Sequence, residues 1–174
     1  MVKFKKYDMK TMGIILCFSI LLSNCNKLFK DEELSLQRVS YIGEELRVDG
    51  YYYFHWASYD SPFDNNTSVK FFYRNGLVLS AHSYGGIDLD NVEKEMVDLY
   101  DKIRKDKIGW GVFIVNGDEI QCEQWTSSVG GGLPIYKWSG KIENDTTFRH
   151  SDSNETWHFK KFTLKPDSTN NFIP

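Results

Sequence analysis

Val69-Lys70-Phe71-Phe72-Tyr73-Arg74-Asn75-Gly76-Leu77-Val78-Leu79-Ser80 is the stretch whose reading decides the fold. Two runs of aromatic and β-branched residues flank Asn75-Gly76. Asn-Gly between such runs is the strongest short-range hairpin signal, because both residues of a tight two-residue turn accept positive φ. The same pair recurs at Asn116-Gly117, in the middle of a run from Trp110 to Trp125. A two-residue turn there sets Phe113 opposite Ile120 and Gly111 opposite Cys122, with Val115 beside them. That face reads as core, and Cys122 on it as a small buried hydrophobe.

Outward from these hairpins the pattern repeats. Glu44 to Trp56 is a long strand candidate interrupted at Gly50. Ile135 to Ile142, Thr146 to His150 and Thr156 to Lys165 are further strands, with Asn144-Asp145 and Ser151 to Asn154 as turns. One helix, about residues 91–106, interrupts the series. Asp90 caps it with Glu93 three residues on, Val92, Met96, Leu99, Tyr100 and Ile103 recur at helical spacing, and basic residues crowd its C-terminal end. About eight short antiparallel strands and one helix predict an all-β fold, barrel or sandwich. Several strands are apolar on both faces, as Phe71-Phe72-Tyr73 and Leu77-Val78-Leu79 show. A barrel partly covered by the helix accounts for that better than a sheet wetted on one side.

The N-terminus reads differently. Lys3, Lys5, Lys6 and Lys10 precede an apolar run from Thr11 to Leu22, which is shorter than the roughly 20 residues of a membrane-spanning helix. A basic flank before a short apolar run is the pattern of a signal peptide. Leu22-Ser23-Asn24-Cys25 resembles the lipobox of bacterial lipoproteins, with Asn24 where Gly, Ala or Ser is usual. The resemblance implies that Cys25 becomes the lipid-bearing first residue of the mature chain. A membrane partner through the lipid on Cys25 follows, and a place in the bacterial outer membrane, periplasmic or surface-facing. Asn26-Lys27-Leu28-Phe29-Lys30-Asp31-Glu32-Glu33 fits either a solvated tether or the Lys-plus-acids signal that sends some Bacteroidota lipoproteins to the cell surface. The expected organisation is signal peptide 1–24, tether 25–43, barrel domain 44–166 and tail 167–174.

Without residues 1–24, which carry four lysines and one aspartate, 150 residues remain with 17 basic and 23 acidic side chains, a net charge of −6. That is one domain's worth of chain, and its acidity argues against nucleic acid as a partner. With Cys25 lipidated and Cys17 removed with the leader, Cys122 stands alone, so no internal disulfide staples the domain.

Leu46 to Tyr53, Phe72 to Leu79, Trp110 to Ile120, and Gly140-Lys141-Ile142 with Asp145-Thr146-Thr147-Phe148 are together similar to the strands of the lipocalin-like lipoproteins of Bacteroidota. The likeness spans about Glu44 to Leu164. It implies a small calyx-type, eight-stranded antiparallel barrel with an apolar pocket, and no catalytic residues or cofactor. The chain departs from the true lipocalin pattern in its first strand, where Gly50-Tyr51-Tyr52 stands in place of Gly-x-Trp.

Catalytic constellations are not legible. His55, His82, His150 and His158 form no metal-ligand spacing, and Glu44-Glu45 and Asp118-Glu119 are adjacent pairs that point to opposite faces of a strand. Neither Gly85-Gly86 nor Gly130-Gly131-Gly132 fits a phosphate-binding motif. The aromatics are the remaining lead. Tyr51, Tyr53, Phe71, Tyr73, Phe113 and Val115 are expected to line a pocket for a small apolar ligand, with tyrosine hydroxyls orienting it. The competing reading fills the barrel with these side chains and leaves loops Asp60 to Ser68 and Gly130 to Pro134 to contact an envelope protein or glycan.

Overall fold

The strands β1 (Gly50–Ala57), β2 (Asn65–Phe72), β3 (Leu77–Ser83), β4 (Trp110–Asn116), β5 (Glu119–Trp125), β6 (Ile135–Asn144), β7 (Thr147–His150) and β8 (Thr156–Lys161) each pair antiparallel with the next. β8 returns to β1, with Tyr52 opposite Phe159, and closes the barrel. Closure leaves no free sheet edge. The computed structural model describes residues 30–57, 65–84 and 86–174. The leader, Cys25 and the segment 58–64 lie outside the described residues. Helix α1 (Leu89–Lys105) occupies the β3–β4 connection.

Which face of each strand points inward follows from contacts across the barrel. Phe72 on β2 meets Phe148 on β7 at 5.9 Å between ring centres, and Tyr52 on β1 meets the same ring at 5.2 Å. Strands that far apart in the sheet touch only through the lumen. Val78, Phe113, Ile120, Cys122, Trp138, Ile142 and Trp157 join them in one apolar cluster. The opposite face carries the second cluster: Tyr51, Val69, Phe71, Tyr73 and Leu79 pack outside the barrel with Val92 and Met96 of α1. Both faces of β2 are therefore buried, which is why its sequence does not alternate.

Both hairpins differ in detail from the two-residue turns expected of Asn-Gly. In the first, the Tyr73 N–H donates to Leu77 O and the Gly76 N–H to Tyr73 O. That makes a three-residue loop, Arg74-Asn75-Gly76, in which Gly76 alone has positive φ, +81°, the form built from a type I turn and a left-handed glycine. Phe72 consequently pairs with Val78, not with Leu79. A Cβ on Gly76 would also stand 2.1 Å from Val39 O. In the second hairpin the turn is Gly117-Asp118, since Asn116 pairs with Glu119 and Phe113 with Cys122. Gly117 takes φ +63° in the first position, where a type II′ turn wants glycine. The partner strand moves by two residues, so the faces are kept and Cys122 is buried, as expected.

The helix begins earlier than residue 91 because Asp88, not Asp90, caps it: its Oδ1 accepts the Asp90 N–H at 3.0 Å. β1 begins at Gly50, six residues after Glu44. The stretch before it closes one end of the barrel. Tyr41 sets its ring at a tilt to Phe113, 5.6 Å between centres, its hydroxyl accepts the Leu46 N–H at 2.7 Å, and Leu46 is buried. Lys165 reaches the same end, donating to Val48 O and Phe72 O at 2.8 and 2.6 Å.

The expected tether, 25–43, is attached from Asp31 onward. Asp31 bonds Lys107 and the Leu133 N–H, the Trp125 indole donates to Glu32 O, and Ser35 and Leu36 bond the Glu123 carboxylate. The tail, 167–174, is docked as well: Phe172 and Ile173 pack on the outer cluster, and Arg38 donates to Pro174 O. These segments show no periodicity because main-chain and carboxylate hydrogen bonds, with a few isolated apolar contacts such as Leu34, Leu36 and Ile173, hold them rather than a continuous apolar face.

Candidate functional site

The two ends of the lumen differ. At the end closed by Tyr41 and Leu46, rings fill the interior. At the other, where β1, β3, β5 and β7 finish, the inward positions change to Trp56, Ser68, Lys70, Ser80, His82, Gln124 and His150, and a cavity of about 330 Å³ opens among them. Phe54, Tyr136 and Trp157 supply apolar walls, and Glu155 stands at the rim. The volume is at the small end of the usual range for ligand sites.

Lys70 is the unusual member. It leaves β2 into the lumen and is only 7% exposed. Its Nζ donates to Ser80 Oγ at 3.0 Å and to Gln124 Oε1 at 3.4 Å, and lies 4.7 and 4.8 Å from the ring centres of Trp138 and Trp157. Ring faces and neutral oxygens offset only part of the cost of burying an ammonium. Desolvation accordingly pushes its pKa down to about 8. Desolvation also lowers the pKa of His82 and His150, with the Lys70 charge acting in the same direction. Cys122, beneath the cavity, is raised to about 12 by burial and remains a thiol.

A hydrogen-bonded frame fixes the lining. Gln124 is the hinge: its Nε2 donates to Ser80 Oγ and Gly109 O, both at 2.8 Å, and its Oε1 accepts the Trp138 indole at 3.1 Å. Ser68 Oγ accepts from Trp56 Nε1 at 3.1 Å and pairs with His82 Nδ1 at 2.9 Å. His150 stacks on Tyr136 and meets its hydroxyl through Nε2 at 3.3 Å. Two buried polar atoms in this lining, His150 Nδ1 and Trp157 Nε1, have no hydrogen-bond partner. Among the described residues no three His, Cys, Asp or Glu side chains approach closely enough to hold a metal ion.

The six residues expected to line a pocket are not brought together. Tyr51, Tyr53, Phe71 and Tyr73 lie on the outer face; Tyr51, Phe71 and Tyr73 are buried in the cluster that includes Val92 and Met96 of α1, and Tyr53 packs against its margin. The Tyr51 hydroxyl donates to Glu93 of the helix at 3.2 Å. Phe113 and Val115 do belong to the lumen cluster, but at its filled end. None of the six lines the cavity. The physical reason is that helix α1 buries apolar side chains on the outer face of β1 and β2, and on β2 that outer face, with Val69 and Phe71, is more apolar than the inner one, with Ser68 and Lys70. A reading that assigns the apolar face to the pocket selects the wrong side. The residues missed, Lys70, Ser68, Ser80 and Gln124, sit at alternate positions among hydrophobic neighbours. The signal for them was a lysine flanked on both sides by strand residues of a two-faced apolar run.

Comparison of the chain with protein-family models, curated protein sequences and solved structures returned no match to any of them.

Proposed function

We propose that the chain is a lipoprotein of the bacterial outer membrane, anchored by lipid on Cys25, whose barrel is a non-catalytic carrier for a small, largely apolar ligand. The observation that supports this most directly is the cavity of about 330 Å³ left at one end of an otherwise packed lumen. A barrel serving only as a rigid surface for a protein or glycan has no use for such a space, and the filled half demonstrates that this sequence packs aromatic rings tightly where it needs to. The walls fit the part: Phe54, Trp56 and Trp157 supply apolar area and a few polar groups fix orientation. The likeness to lipocalin-like lipoproteins read from the strand motifs points the same way.

Native mass spectrometry of the mature protein, released gently from its own host envelope, tests the carrier reading. A discrete added mass that disappears on denaturation is expected. A bare polypeptide mass, unchanged after incubation with small aromatic and acyl compounds, would transfer the function to the outer surface. The protein must keep residues 31–37, because Ser35 and Leu36 are part of the folded barrel. Anchoring has its own check: Cys25→Ala is expected to abolish palmitate labelling and leave an uncleaved precursor, whereas normal labelling of that variant removes the lipoprotein assignment.

A further inference from the structure

The lumen cavity holds a cation that, among the described residues, no carboxylate meets in an ion pair. The hydrogen-bond partners of Lys70, Ser80 Oγ and Gln124 Oε1, are both neutral. The adjacent carboxylate in β5, Glu123, is engaged on the outer face by Ser35, Leu36 and Lys137. Glu155 lines the cavity and its charge favours the Lys70 ammonium from a distance, but the two make no ion pair. Close to the ammonium, the indole N–H of Trp157 has no acceptor, although the ring itself lies 4.8 Å from Lys70 Nζ. An ammonium without a counter-ion and an indole N–H without an acceptor thus belong to the same lining. Buried polar groups are normally satisfied, so the orphan indole N–H beside a cation calls for an acceptor, and His150 Nδ1, the other orphan of the lining, can donate to it in the Nδ1–H tautomer. An ionised carboxylate accepts several hydrogen bonds and donates none.

From this we propose that the cavity binds a small aromatic carboxylate, a planar acid of one or two rings whose carboxylate sits on Lys70 and whose ring lies among Phe54, Trp56 and Trp157. The inference rests on the carrier reading above and names its ligand class. Size supports it: about 330 Å³ is the share of roughly eleven liquid waters, enough for a bicyclic acid. Wall chemistry supports it as well. Ring faces dominate, and aromatic pairs gain from offset or edge-to-face geometry beyond simple burial. A cationic ligand is disfavoured by Lys70 itself.

Charge and pH give the inference its particular signature. The titratable groups around Lys70 are His82 on β3, Cys122 on β5, Tyr136 on β6, His150 on β7 and Glu155 beside β8. Both histidines are held below their ordinary value and the thiol well above it. Lys70 is then the lining group that changes charge as pH rises through about 8. A bound carboxylate stabilises its protonated form, so affinity is highest below that pH and falls above it.

The test uses the full chain in phospholipid nanodiscs, titrated calorimetrically with benzoate, indole-3-acetate and 2-naphthoate and with their neutral amides, empty discs subtracted. At pH 7 at least one acid is expected to bind roughly ten- to a hundredfold more tightly than its amide, the range for one hydrogen bond to a charged group. Its affinity is expected to fall between pH 8 and 10 while that of the amide stays level. In Lys70→Met the acid and amide should bind alike. That variant removes an unpaired buried charge and keeps the side-chain volume, so it should melt no lower than the parent, which separates lost recognition from lost folding. Equal binding of acids and amides by the parent protein overturns the carboxylate and leaves the carrier reading standing. Preference for the acid that survives in Lys70→Met overturns the role of Lys70. No binding of any of the six compounds by either protein overturns both.

Discussion

Phe148→Ala is expected to destabilise the barrel by about 3–5 kcal/mol, the range for removing a fully buried aromatic ring from a well-packed core. Phe148 is completely buried, on the short strand β7. Its ring stacks between Trp138 at 5.7 Å and Trp157 at 5.8 Å, and meets Tyr52 and Phe72 across the lumen. Its ring contacts reach β1, β2, β6 and β8, and closed β-sheet walls cannot collapse inward to refill the space. A domain of this size should lose about 10 °C in Tm. The variant has a second consequence. The void it creates lies beside Trp157, which lines the cavity, so on the proposed ligand class a folded Phe148→Ala protein should accept larger acids than the parent. Thermal unfolding followed by near-ultraviolet circular dichroism measures the first effect. A Tm within about 2 °C of the parent would mean that the lumen repacks freely, against the expected penalty for a cavity.

Removing the carboxylate of Glu123 is the second large effect. Glu123 projects from β5 on the face opposite Cys122 and gathers four donors: Ser35 N and Oγ, both at 2.5 Å, Leu36 N at 2.9 Å, and Lys137 Nζ at 2.7 Å. Burial by itself would raise its pKa, but Lys137, Ser35 and Leu36 together bring it down to about 2, from an ordinary 4.5. The carboxylate is therefore better solvated by the folded chain than by water. Its stabilising contribution is complete above about pH 4.5 and disappears as pH falls towards 2. Glu123→Ala leaves two main-chain N–H groups without an acceptor and is expected to lower stability by roughly 2–3 kcal/mol at neutral pH. The loss should be local first. Residues 31–40 should become susceptible to limited proteolysis while the barrel retains its circular dichroism, and the fall in parental stability below pH 4.5 should become shallower. Unchanged protection of that segment would show that Trp125 and Lys107 hold it without Glu123.

Much of the fold was legible because its determinants are local. Gly76 and Gly117 mark hairpins whose exact loop length hardly matters for finding the strands, and Val92, Met96 and Ile103 announce a helix by spacing alone. The site was not legible, for a specific reason. Inside and outside in a barrel differ by one residue of phase, and phase is read from polarity. Here the polarity misleads: Val69, Phe71 and Tyr73 pack on the outside in the cluster that includes Val92 and Met96 of α1, while Ser68 and Lys70 point into the lumen and line the cavity. The loop at Arg74-Asn75-Gly76 compounds the difficulty, since one residue more than a two-residue turn reverses which side chains of β3 accompany Phe72. The attachment of residues 31–49 was hidden too. Hydrogen bonds from Ser35 to Glu123 and from Trp125 to Glu32 leave no periodic trace in a sequence.

If Cys25 carries a lipid as proposed, the point at which the N-terminal segment meets the barrel decides which end of the molecule faces the membrane. Asp31 is fastened to Lys107, just before β4, and to Leu133, just before β6. Both positions lie at the end of the barrel that contains the cavity. Asn26 to Lys30 alone separate that fastening from Cys25, a leash of about 20 Å at full stretch. A lipid on Cys25 would hold the cavity end beside the headgroups and the ring-filled end away from them. Amphiphilic aromatic acids collect in that interfacial zone, so the barrel would draw its cargo from a two-dimensional reservoir rather than from the bulk.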